Sequence, residues 1–121
     1  MSIEDLQQIC EQLKGVTQDI KWENHLCFNI GGKMFLVTSP DSIPHSASFK
    51  VTDDDFYELC AKQGFIPAPY LARYKWVHLD DINRLSRKEW EKFIRQSYEL
   101  IYSKLPTGTK NQIATDKNAS H

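Results

Sequence analysis

Residues 26–39, LCFNIGGKMFLVTS, place two strand-like runs on either side of a glycine pair. Gly31-Gly32 supplies the positive φ that a two-residue type I′ or II′ turn demands, and strands joined by so short a turn run antiparallel. A β-hairpin is therefore the fixed point from which the rest of the chain is read.

Upstream, Ser2 can cap a first helix with Asp5 at its third position, and Ile3, Leu6, Ile9, Cys10 and Leu13 recur at spacings of three and four. Gly15 ends that helix. GVTQDIKWENH then leads to the hairpin as a loop with a short strand around Ile20 to Glu23. Downstream, PDSIPHS is a loop, because Pro40 and Pro44 cannot donate to a ladder, and ASFKV is a further strand. Thr52 caps a second helix, with Asp53, Asp54 and Asp55 in the turn where the helix dipole favours acid and with Phe56, Leu59 and Cys60 as its apolar stripe.

After Gly64 comes FIPAPYLARYKWVHLDD, residues 65–81, expected to be irregular through Pro67 and Pro69 and strand-like from Tyr74 to Leu79. Ser86 and Glu89 form a capping box for a third helix, with Trp90, Phe93, Ile94, Ser97, Tyr98, Ile101 and Leu105 along one side. Pro106 and Gly108 end it. Residues 107–121 are polar and are expected to be a disordered tail after a single domain spanning 1–106. The order is α-β-β-β-(β)-α-β-α. Helices with one apolar stripe must pack on one face of the sheet, which gives a two-layer α+β fold with an antiparallel sheet.

The 121 residues carry 40% hydrophobic and 26% charged side chains with a net charge of −1. That is ordinary globular composition for one core. No apolar run reaches the length needed to cross a bilayer, and MSIEDLQQ has neither the basic head nor the apolar centre of a secretory signal, so a cytoplasmic address is expected by default. Cys10, Cys27 and Cys60 are few, far apart and set among apolar neighbours, as reduced thiols in a core would be.

The near-neutral charge excludes a surface that is basic throughout, so any nucleic-acid contact has to be local. Leu59 to Leu79 is the longest stretch without Asp or Glu, and it holds Lys62, Arg73 and Lys75. Alternation from Tyr74 places Tyr74, Trp76 and His78 on one face and Lys75, Val77 and Leu79 on the other. In one reading Tyr70 and Trp76 are core anchors and Arg73 and Lys75 are solvated. In the other, Arg73 and Lys75 engage phosphates while Tyr74 offers an aromatic platform.

No catalytic or metal-binding constellation is visible: His25, His45, His78 and His121 lack ligand spacing, and no CxxC occurs. Neither metal nor cofactor is expected. Gly31-Gly32-Lys33 is not a phosphate loop, since a strand follows where a helix is required, but Lys33 at the tip has the reach to touch a polyanion.

GVTQDIKWENHLCFNIGGKMFLV, SFKVTDDDF, GFIPAPYLARYKWVHLDD and LSRKEWEKFIRQSYELIYSKLP together resemble the MmcQ/YjbR family over about residues 3 to 106. The resemblance implies a fold related in arrangement to frataxin and to type III secretion chaperones, with a "double wing" surface for contacting DNA. Its hairpin motif falls on Gly31 to Phe35, and its Pro-Tyr, Lys and Trp positions fall on Pro69, Tyr70, Lys75 and Trp76. Helix 1 departs from the acidic iron-binding ridge of a frataxin, having only Glu4, Asp5 and Glu11.

The leading expectation is a non-enzymatic protein that contacts DNA weakly through Lys33, Arg73, Tyr74 and Lys75. A protein-interaction module, dimeric or chaperone-like, with an exposed sheet face is the second. A binder of a small anionic ligand is third, and would need a pocket where Tyr70, Lys75 and His78 converge.

Overall fold

The computed structural model describes residues 1–115. Its elements follow in the order α1 (Ile3–Glu11), β1 (Val16–Lys21), β2 (His25–Ile30), β3 (Lys33–Ser39), β4 (Ser46–Lys50), α2 (Asp53–Cys60), β5 (Phe65–Pro67), β6 (Trp76–Leu79), α3 (Arg87–Tyr102) and α4 (Thr107–Thr115). Six strands form one sheet in the order β1-β2-β3-β4-β6-β5, with every neighbouring pair antiparallel. The expected α+β fold and element order are what the chain adopts.

The hairpin stands inside the sheet, and Gly31 and Gly32 have φ of +57° and +79°. Between β2 and β3 the register steps from Phe28 opposite Leu36 to Asn29 opposite Met34, which leaves Phe35 as an extra residue. This bulge turns Phe35 and Leu36 both into the core, where each is fully buried. The β3–β4 ladder ends beside it, at Leu36 opposite Phe49, and a helix side chain bridges the next pair of backbone groups. Ser97 on α3 donates its hydroxyl to the Phe35 carbonyl at 2.6 Å and accepts from the Lys50 N–H at 3.0 Å.

One face of the sheet is covered by helices. The expected α1 stripe is buried in full, and α3 crosses β3 and β4 with Trp90, Phe93 and Ile94 against Phe49 and its neighbours. Both Ser2 and Ser86 form capping boxes, with Asp5 and Glu89. Ala47, Phe49 and Val51 belong to this core, whereas Ser48 and Lys50 alternate to the opposite face, away from the apolar stripes of α1, α2 and α3 among the described residues.

Four expectations are corrected. The strand before the hairpin is Val16–Lys21, and Trp22 and Glu23 lie in the turn with φ of +50° and +71°. This strand is at the sheet edge and exposed over most of its length, so its sequence VTQDIK carries no apolar alternation. In the 65–81 stretch, Phe65–Pro67 is a short edge strand and β6 begins at Trp76, because Ala72–Tyr74 closes into a 3₁₀ turn. Tyr70, expected as a core anchor, is fully exposed, and Trp76 alone is buried. The tail divides: Thr107–Thr115 is helical, and residues 116–121 lie outside the described residues. The physical reason for α4 is a single apolar anchor. Ile113 sits where a side chain on Gly15 would stand, 2.9 Å from the position of its Cβ, and Lys14 Nζ donates to the Ala114 carbonyl at 2.6 Å.

The β5 rim has one further property. The Gly64 carbonyl accepts from Asp80 N–H and the Ala68 N–H donates to the Trp76 carbonyl, so the backbone groups of Phe65 and Pro67 point outward. Phe65 N–H is already taken by the Lys62 carbonyl at 3.2 Å, and Pro67 has none.

Candidate functional site

The strand directions decide which cations meet. β3 begins, β4 ends and β6 begins at the same end of the sheet, since Leu36 pairs with Phe49 and Lys50 with Trp76. Lys33 at the hairpin tip, Lys50 and the Arg73–Lys75 segment therefore share that end. The tip is held there by close packing: a Cβ on Gly31 would stand 2.7 Å from the end of the Leu105 side chain, which would have to shift, and the positive φ itself favours glycine. Leu105 brings its neighbour Lys104 to the same region.

Lys50 is the inner member of the group. It is 9% exposed, and its ammonium donates to the Tyr74 carbonyl. Burial lowers its pKa from the ordinary lysine value, Lys104 and Lys75 lower it further, and Asp53 opposes them. Lys75 and Lys104 thus lie near enough for their charges to act on Lys50. Among the described residues none of Lys33, Lys50, Arg73, Lys75 and Lys104 forms an ion pair with a carboxylate.

The outer members are partly committed to aromatic rings. The Arg73 guanidinium lies 4.9 Å from the centre of the Tyr74 ring and donates to its hydroxyl at 2.7 Å. That covers one face of the ring expected as a stacking platform. Lys75, in left-handed backbone at φ +64°, holds its ammonium 5.2 Å from the Phe56 ring and 5.7 Å from the Tyr57 ring of α2. Lys33 is exposed.

Of the other residues carried by the resemblance, Gly31 and Gly32 form the turn and Trp76 is buried at the start of β6, while Pro69 and Tyr70 line a separate groove on the uncovered sheet face. The pocket required by the small-anion reading does not form around its three residues: Tyr70 and His78 line that groove and Lys75 does not. Lys50 and Lys104 were missed by sequence reasoning. ASFKV reads only as a strand, and it is the pairing of β4 with β6 that sets Lys50 against the 73–75 segment.

Among the described residues no group of three His, Cys, Asp or Glu side chains is arranged to hold a metal, and no helix is long and apolar enough to cross a membrane.

Two solved structures share this architecture. The crystal structure of the Deinococcus radiodurans protein DR2400, with a DUF419 domain, superposes with a TM-score of 0.83 at 21% identity, covering 99% of this chain and 95% of that one. A crystal structure of a Pseudomonas syringae protein gives 0.68 at 19% identity, covering 83% of this chain and 98% of that one. At these identities the likeness is one of fold. No curated protein matches the chain. The YjbR family model matches residues 11–100, from the end of α1 through most of α3, and the chain belongs to the YjbR family.

Proposed function

We propose that the protein contacts the phosphate backbone of nucleic acid, with duplex DNA as the first candidate, through the sheet end that carries Lys33, Arg73, Lys75 and Lys104. The reading rests on one observation: these cations gather with Lys50 at one end of the sheet, free of ion pairs with carboxylates among the described residues. Lys50 is too buried to reach a phosphate and serves as a fixed positive charge behind the others. Asp53 at the start of α2 opposes it and keeps the contact weak.

Fluorescence anisotropy of a labelled duplex against salt concentration tests the proposal. Four phosphate contacts give a log–log slope of roughly −3 to −4. Arg73→Glu with Lys75→Glu should weaken binding by at least about tenfold and flatten that slope by about 2. Asp53→Asn should act in the opposite direction and tighten it. Binding without a salt slope, or binding untouched by the double reversal, would remove this function.

A further inference from the structure

The uncovered face of the sheet carries a groove of about 580 Å³ whose lining contains none of the lysines. Its floor is made by Met34 and Val37 of β3, Ser48 of β4 and His78 of β6. The 68–71 crossing forms one wall, and Trp22 of the turn between β1 and β2 with His25 at the start of β2 also lines the groove. No Asp, Glu, Lys or Arg lines it.

Three observations mark it as built for a ligand. Ser48 Oγ and His78 Nδ1 are hydrogen-bonded at 2.9 Å in the floor, and burial holds the His78 imidazole below its ordinary range, with His25 adding to this and Asp80 opposing. His25 Nδ1 is buried with no hydrogen-bond partner among the described residues. Lone buried polar atoms of this kind call for an explanation. Trp22 and Tyr70, both at the groove, are 63% and 100% exposed and adopt left-handed backbone at φ +50° and +67°. Bulky side chains rarely tolerate that region; Tyr70 gains no burial there, and Trp22 gains only an edge-to-face contact with His25 at 5.9 Å. Asn or Gly would satisfy either position more easily.

We infer that this groove is a binding site for a small, flat, uncharged ring system with hydrogen-bonding atoms on one edge. The rings of Trp22 and Tyr70 take its faces, and His25 Nδ1 with the Ser48–His78 pair meets its polar edge. The absence of fixed charge in the lining disfavours ions. Apolar walls with a few converging polar groups are the usual composition of a small-molecule site.

The test is a nitrogen–proton NMR titration of the full chain with quinazolinone, adenine and indole carboxamide, in wild type and in two variants. At least one probe should move the amides of His25, Leu71 and His78. Trp22→Asn should weaken that binding about tenfold, the worth of one ring–ring contact, while leaving the melting temperature unchanged or raised, since Asn accepts left-handed backbone. His25→Leu should weaken it as well, through loss of Nδ1. Silence from all three probes overturns the site. So does a Trp22→Asn protein that melts lower, because the ring would then be structural, or movement of these amides by duplex DNA alone.

Discussion

Replacing Trp90 by alanine is expected to lower the unfolding free energy by about 3–5 kcal/mol. Trp90 is fully buried at the centre of the helix layer, with its ring edge-on to Phe49 at 5.4 Å and 5.7 Å between Phe49 and Phe93 beyond it. Its indole N–H donates to the Ile82 carbonyl at 2.8 Å, which ties the segment after β6 to α3. Alanine removes both: the cavity cannot close between two layers, and the Ile82 carbonyl loses its donor. A domain of this size has only about 5–15 kcal/mol in total, so the variant should be partly unfolded well below the wild-type melting temperature. Trp90→Phe separates the two contributions, since it keeps most of the apolar volume and removes only the donor. Urea melts with an unchanged slope give both numbers, and a loss below about 2 kcal/mol for the alanine variant would contradict this packing.

Ser97→Ala is expected to cost about 2–4 kcal/mol, although alanine is the better helix former. The hydroxyl lies between Phe35 and Lys50, accepting from one backbone and donating to the other. Its removal strands a buried carbonyl and a buried N–H, each costing about 1–3 kcal/mol unless the strands close up. The bulge at Phe35 prevents that closure by holding two successive side chains in the core. Ser103→Ala on the exposed end of the same helix should change stability by less than about 0.5 kcal/mol. Hydrogen exchange supplies a local readout: the Lys50 amide should lose protection in Ser97→Ala before its neighbours do.

The parts of the fold legible in the sequence were those where local chemistry and tertiary demand agree. Gly31-Gly32, the boxes at Ser2 and Ser86, and the stripes of α1 and α3 each repeat one message at several positions. What escaped was set by contacts made at a distance. α4 has almost no apolar period and depends on Ile113 finding Gly15. Tyr70 looked like an anchor because large rings are usually buried, but the 68–71 crossing turns it outward in left-handed backbone. The site divides in the same way. The run without acid marked Arg73 and Lys75, and the glycine turn marked Lys33, whereas Lys50 and Lys104 join them only through strand order and the packing of Leu105. His25, Ser48 and His78 lie on three different strands, and no spacing in the sequence links them.

The outer margin of β5 bears on how copies of this chain can assemble. A second sheet extends a first by trading donors and acceptors along the edge, and across Phe65–Pro67 only the carbonyl half of that exchange remains. Head-to-tail growth needs both margins of every subunit, so sheet extension into open filaments would have to proceed at this margin through the two outward carbonyls alone. The opposite margin, β1, keeps an ordinary strand edge, and an antiparallel β1–β1 pairing of two copies would be two-fold and complete at two chains.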